Sequence, residues 1–558
     1  MTGLVGGRSV LARCVAGVSA RLGVQARELG CLAAVLAVAA AARFANLPAR
    51  GGWDSDQGTE MLAMLNAVHG GGLPTFGPLA ISVGGFHHGA LYYDLLLPAT
   101  WIGNGDPTFV VAEIALLSLL VVPIAWWIAR SIGGTAAGLM AAGLAAVSAS
   151  LIGYATFIWN PTLVEPAAAV AFLGAWEAWR TARPQWWLVA AAGSAVAMQS
   201  NVAAGVIVVP MAAAFLAALR RAPAGRRRRV AAWGAAAVAL VALSYLPLIA
   251  YELGHDFSET RGMIGFFIGP DSTPARDPLA RLLFSAIRIL AWPLTQWPLV
   301  GLKSSFLTSV AVAATLALLL VWRFGKTGGA ARSPKAPAGA PDRATGPAQR
   351  AAVEEHEGLR FVGGMLFLVV LTLGLGLNAV SEVQDLPTEQ YHVVADPLVL
   401  VAASLALAGI WRAAGSGLAR QTGRAAALVA LSGLVAWNVG HWPPLTSPDG
   451  GWPAAHAAAQ RLEADARGSS IAFVALPAIK GADAYVYPLT YDGAPLTTPA
   501  DAGTVVVLCD SSWITSGCGD PAAEAGWLSD ASAGPGLQFV ERFSPAPDRT
   551  LSVYRRGT

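Results

Sequence analysis

The apolar residues of this chain fall in runs of roughly 20, the length a helix needs to cross the hydrocarbon core of a bilayer. No other feature narrows the fold as much. In lipid every backbone N–H and C=O must find a partner inside its own segment, so such runs fold as helices. Eleven are read from the sequence, at about 29–47, 107–129, 133–151, 162–179, 186–200, 202–219, 230–250, 300–322, 360–379, 393–411 and 425–440. Only 13% of the 558 residues are charged, against about a quarter in a soluble domain. The net charge of +3 says little, because its distribution matters more than its sum. Nothing points to a nucleic-acid partner. The expected fold class is a polytopic α-helical membrane protein.

Basic residues sit at alternate span ends. Arg8, Arg13, Arg21 and Arg27 precede the first run, and Arg130 follows the second. Arg180 and Arg183 follow the fourth; Arg220, Arg221 and Arg226 to Arg229 follow the sixth. Arg323 and Lys326 follow the eighth, and Arg412, Arg420 and Arg424 lie between the last two. Of the intervening loops, the first has Arg50 and 152–161 and 380–391 have none, while 251–299 holds four arginines against the trend. The positive-inside rule then places the N-terminus in the cytoplasm and, with an odd number of spans, the C-terminus outside the cytoplasmic (inner) membrane. Trp126, Trp127, Trp176, Trp179, Trp186, Trp187, Trp322 and Trp411 cluster at span ends, as an interfacial belt does. The charged lead of about 28 residues is long for a signal peptide, so the first run is expected to stay as a span.

Residues 1–440 thus form a membrane domain. Within it, the Pro-, Ala- and Gly-rich stretch 325–359 reads as a disordered cytoplasmic linker. Residues 441–558 shift to the composition of a soluble α/β domain outside the membrane, with strands at 471–477, 504–510, 538–543 and 550–556 and a helix at 454–467. Cys509 and Cys518 lie there, and an oxidising compartment favours a disulfide between them. Cys14 and Cys31 are expected to stay reduced, and no spacing resembles a zinc site.

The first outer loop, 48–106, holds the chemistry. It opens with GGWDSDQGTE, which sets Asp54 and Asp56 just past the first span. Apolar residues at Met61, Leu62, Met64, Leu65 and Val68 give a helical period, read as a helix on the membrane surface. Two glycines then precede His87 and His88, and a short apolar helix follows with Tyr92 and Tyr93. An acidic motif after span one, an interfacial helix and a basic residue before LYY resemble the plan of GT-C glycosyltransferases. The branch is that of protein O-mannosyltransferases and bacterial aminoarabinose transferases. The stretch SDQGTEMLAM…GGFHHGALYYDLLLP, about 54–98, carries the specific similarity.

The resemblance implies a GT-C membrane enzyme that takes a sugar from a polyprenyl-phosphate donor and passes it to a glycan, lipid or protein acceptor of the cell envelope. An acceptor hydroxyl is a poor nucleophile until a carboxylate within hydrogen-bond reach takes its proton. Asp56 matches the motif's acidic position and is the expected general base, with Asp54 as a second carboxylate that orients the acceptor or helps hold a divalent cation. Read as ordinary residues, both are solvated loop acids or a helix N-cap. Many relatives carry Glu where this chain has Gln57, here a cavity-lining residue. The leaving group is a lipid phosphate, whose growing charge calls for cations or hydrogen-bond donors. His88 and His87 stand where aminoarabinose transferases have a phosphate-contacting lysine, and Arg261 of the outer loop 251–299 and His392 of the last outer loop are further phosphate ligands. Arg276, Arg281 and Arg288 share Arg261's loop and read as surface charge. Tyr92, Asn160 and Glu165 are expected to border the cavity. A transporter or lipid flippase is the alternative that eleven spans with intramembrane acids also allow.

Overall fold

The computed structural model describes residues 24–557 apart from 81–84, 269–276, 297–302, 332–346, 377–388, 413–416, 479–480 and 515. Arg8, Arg13, Cys14, Arg21 and Arg276 lie outside these residues.

Seven described helices are long and apolar enough to cross a membrane, or eight when the bent pair Ala224–Ser244 and Leu246–Gly254 is taken as one span. That count differs from the eleven read from the sequence for identifiable reasons. Ala26–Phe44 carries Arg27, Glu28 and Arg43, and Val164–Thr181 carries Glu165, Glu177 and Arg180. Trp186–Ser200 has only 15 residues. Pro107–Val147 counts as a single span of 41 residues, yet it doubles back. At Gly134 the backbone turns to φ 75°, ψ −177°, and a Cβ on Gly138 would lie 2.9 Å from the ring of Trp126, twelve residues earlier. Only glycine takes that backbone conformation without strain.

The hairpin packs on the first helix, and buried polar groups fix both ends of the contact. Glu28 accepts from Trp126 Nε1 at 3.1 Å, Arg130 Nε at 2.8 Å and Thr135 Oγ1 at 3.0 Å, beside the turn. At the other end the buried Arg43 donates to Ser118 Oγ at 3.1 Å and to the carbonyls of Ala145 and Ala146, both at 3.1 Å. These are the last carbonyls of a helix, left without intrahelical donors.

Two expectations need correction. Residues 251–299 are not a plain loop: their described part holds Ser258–Ile268 and Pro278–Thr295, the latter one of the seven candidate spans although it buries Arg281 and Arg288. The sequence hid this helix because its two arginines read as surface charge. The linker 325–359 is helical at both ends, within Lys303–Ala331 and Pro347–Leu375. Arg323 and Arg412 meet Glu355 there, the latter at 3.0 Å, which ties three helices.

The C-terminal unit is a four-stranded sheet in the order Ile471–Leu476, Thr504–Asp510, Arg549–Arg556, Leu537–Ala546. The first pair is parallel and the others antiparallel. Helices Gly451–Ala466, Asp483–Asp492 and Pro521–Asp530 accompany it. Cys509 and Cys518 form a disulfide with Cα atoms 5.5 Å apart. This unit does not hang free. Trp53, Met61, Met64, Tyr92 and Ile158 share one buried cluster with Trp452, Tyr485, Tyr487, Leu508 and Val553.

Candidate active site

The acidic stretch folds as the start of a helix. Asp54 is extended, with φ −132°, and caps Ser55–Asn66 by accepting from Asp56 N at 2.8 Å. Gln57 Oε1 accepts from Asp54 N at 2.9 Å, which completes a capping box. Gln57 Nε2 donates to the Ile158 carbonyl at 2.7 Å. A carboxylate cannot make that second bond, so an amide here pins the helix start to the loop after the hairpin. Gln57 is buried with both ends of its amide engaged, and so acts as a fastening.

Asp56 stands half-buried in the first turn, where the helix dipole favours an anion. One turn on, at the spacing that puts side chains on one face, comes Glu60, which sequence reasoning missed. It is 3% exposed and accepts from the hydroxyl of the fully buried Tyr92 and from the Asn160 backbone. Burial pushes the Glu60 carboxyl up to about 8; the Tyr92 bond pulls against this, and the charges of Asp56 and Asp54 add to it. Burial, with Glu60 beside it, likewise raises the Tyr92 phenol. The Asp56–Glu60 spacing was legible in the sequence; the partnership with Tyr92 was not.

The C-terminal unit backs this helix. Trp53 N donates to Asp449 Oδ2 at 2.7 Å, and Trp53 Nε1 to the Ala484 carbonyl at 2.8 Å. Thr59 Oγ1 donates to Asp483 Oδ2 at 2.5 Å. Arg549 donates to the Trp53 carbonyl at 2.6 Å and faces the charge of Asp54. No sequence signal links Arg549 to the loop; only the packed chain does.

The two histidines differ. His87–Gly89 pairs antiparallel with Phe76–Leu79. His88 is buried, and its Nδ1 accepts from Val202 N at 3.2 Å. Burial, then the neighbouring His87, pushes its pKa down to about 4. A ring that stays neutral and already holds a backbone N–H is a poor phosphate cation. His87 is a third exposed, stacks on Phe76 at 4.8 Å and meets Glu259 at 3.1 Å.

Arg261 lies on Ser258–Ile268, exposed, facing the charge of Glu252. His392 is buried at the start of the Val393–Ala395 turn. Glu165 and Asp396 lie beside each other, and Ser150 Oγ donates to Asp396 at 3.2 Å. Arg43 faces Glu165 and Arg288 faces Asp396. This cluster joins five helices that the sequence gave no reason to group. Asn160 Nδ2 donates to the Ser200 carbonyl at 2.7 Å. Among the described residues no group of three or more His, Cys, Asp or Glu is arranged to hold a metal ion.

Comparison with known proteins extends the picture. A family model described as dolichyl-phosphate-mannose-protein mannosyltransferase matches residues 100–248. That stretch begins just after the 54–98 motif, so the two likenesses rest on different residues. No curated protein sequence matches the chain. Of solved structures, ArnT from Cupriavidus metallidurans bound to undecaprenyl phosphate aligns with a TM-score of 0.52 at 14% identity, over 94% of this chain and 98% of that one. The archaeal oligosaccharyltransferase AglB from Archaeoglobus fulgidus, in complex with an inhibitory peptide and a dolichol-phosphate, aligns at 0.49 and 14%, over 95% and 74%. Arabinofuranosyltransferase AftD from Mycobacteria aligns at 0.43 and 15%, over 94% and 40%. The likeness to ArnT, end to end in both chains, gives the fold.

Proposed function

We propose that this chain, a polytopic membrane protein with the GT-C glycosyltransferase fold, moves a sugar from a polyprenyl-phosphate donor to an acceptor at the outer face of the cytoplasmic membrane. The observation that carries the reading is the carboxylate of Asp56. It sits half-buried in the first turn of a capped helix that is fastened on one side to Ile158 and on the other to the C-terminal unit. The ArnT structure of like fold is bound to undecaprenyl phosphate, which supports a lipid-phosphate donor.

Asp56 takes the acceptor hydroxyl proton as the acceptor oxygen bonds to the anomeric carbon. The bond from that carbon to the phosphate oxygen breaks, its electron pair leaves with the lipid phosphate, and the anomeric centre inverts. Asp54 is assigned to the cap and not to a second catalytic carboxylate. For the phosphate, the exposed Arg261 is better suited than His88, whose ring is uncharged and engaged, or than His392, Arg281 and Arg288, which are buried.

The test is donor consumption by purified protein in lipid, with a panel of polyprenyl-phosphate sugars. Asp56→Asn is expected to lower turnover by about 100-fold or more. Asp54→Asn keeps a good cap and is expected to retain most activity. Equal consumption by wild type and Asp56→Asn would sink the general-base assignment.

A further inference from the structure

The end of the helix bundle that bears the arginines holds a cavity of about 110 Å³, several times the roughly 10–15 Å³ that one water needs. It lies between Val164–Thr181, Trp186–Ser200, Val208–Arg221 and Ala224–Ser244. Its walls are Trp179 and Trp187, and its cations are Arg221 and Arg226. Trp187 is buried and meets Phe215 edge-on at 5.3 Å, so this wall is rigid. The Arg221 guanidinium rests 3.9 Å from the Trp179 ring centroid and 2.8 Å from Glu357. It is held in place from two sides, yet its side chain is 46% exposed.

The surroundings are strongly cationic. Arg220, Arg221 and Arg226 to Arg229 put six arginines in ten residues. Among the described residues, the ion pair of Arg221 with Glu357 is the one ion pair they make, and Glu357 is shared with Arg360. Arg227 spends its donors on the carbonyls of Ala222 and Arg220. Glu177, on the helix that carries Trp179, is engaged by Arg180 at 2.7 Å and Trp127 at 2.6 Å. Such crowding of like charge is costly unless an anion screens it.

We propose that this cavity is a headgroup site for an acidic phospholipid of the surrounding bilayer. Tryptophan walls are the residue type found at headgroup depth. Arg221 and Arg226 present the planar donors that suit a phosphodiester. The apolar rim, Ala178, Ala218 and Val230, leaves a path for the acyl chains along the helices. Basic pockets between transmembrane helices bind anionic headgroups by this combination. The site is separate from the sugar-transfer loop and does not depend on its assignment.

The experiment titrates the purified full chain in detergent with phosphatidylglycerol, phosphatidylcholine or glycerol 3-phosphate and reads retained ligand by native mass spectrometry. Phosphatidylglycerol is expected to bind in preference to phosphatidylcholine. Arg226→Gln, an exposed side chain whose loss leaves packing intact, is expected to weaken retention about fivefold, and the double variant Arg221→Gln/Arg226→Gln more. Arg228→Gln/Arg229→Gln removes the same charge outside the cavity and is expected to change retention little. Equal losses from the two double variants would overturn a built pocket in favour of diffuse attraction. Competition by glycerol 3-phosphate as strong as by the intact lipid would replace the lipid site with one for free phosphate. No preference between the two lipids would end the proposal outright.

Discussion

At the scale of single residues, the loop keeps two carboxylates one helical turn apart in different environments. Asp56 is half-buried in the first turn, while Glu60 is buried with its pKa raised to about 8. A carboxyl held above its unfolded value contributes its full stability at low pH. That contribution is lost as pH climbs through the window between the ordinary value of 4.5 and about 8. The wild-type melting temperature is therefore expected to fall across this window. Glu60→Gln keeps the shape and an acceptor for Tyr92 but does not titrate, so its melting curve is expected to be flatter, by a few kcal/mol over the whole range. Parallel pH profiles for the two proteins would show that Glu60 ionises at no cost. Tyr487→Phe tests the same interface from the other side. It removes the bond to the Gly105 carbonyl, and thermal unfolding should report a loss of about 1 kcal/mol. Of these residues the sequence exposed Asp54, Asp56 and Gln57 as an acidic motif after the first span, but not the capping box they form. Glu60 was visible only as a spacing, and Tyr92 was taken for a cavity residue. His88 looked like a phosphate donor because its true partner, Val202 N, is 114 positions away.

At the scale of elements, close backbone approach decides two places. Any Cβ on Gly58 would collide with the backbone of Asp483, so Gly58→Ala must push Ser55–Asn66 away from Asp483–Asp492. The expected cost is about 1–3 kcal/mol, as for other overpacking, with faster proteolysis of the C-terminal unit. Unchanged proteolysis would mean that the two helices do not need each other. Gly134→Ala is expected to cost about 1–3 kcal/mol through its positive φ, read as a lower melting temperature with the loop chemistry intact. Periodicity made most elements legible. The strands at 504–510 and 550–556 fall on or within one residue of their observed limits. Pro278–Thr295 was hidden by its arginines, and Asp483–Asp492 by Pro488 inside it. Periodicity reports which face is apolar and not which distant face it will meet.

At the scale of the whole molecule, the membrane domain and the C-terminal unit are joined by one apolar cluster in place of a linker. Removing residues 441–558 is expected to leave Trp53, Met61 and Tyr92 uncovered and to abolish donor consumption. Size-exclusion chromatography of the truncated protein should show aggregation. A monodisperse, active truncation would make the unit an accessory. The sequence foresaw two parts but not their union, because nothing local records a contact such as Trp53 with Ala484, 431 positions apart.

That separation has a consequence in time. A ribosome adding roughly 5–20 residues per second needs about 20–90 s to travel from Trp53 to Ala484, and longer to reach Arg549. Throughout that interval the first helices are already in the bilayer, while the acidic loop lacks the surface it rests on. The loop is finished only when the last strand of the chain arrives. A product cut short before Ala484 is therefore expected to carry the acidic loop without the backing that Trp53 finds there.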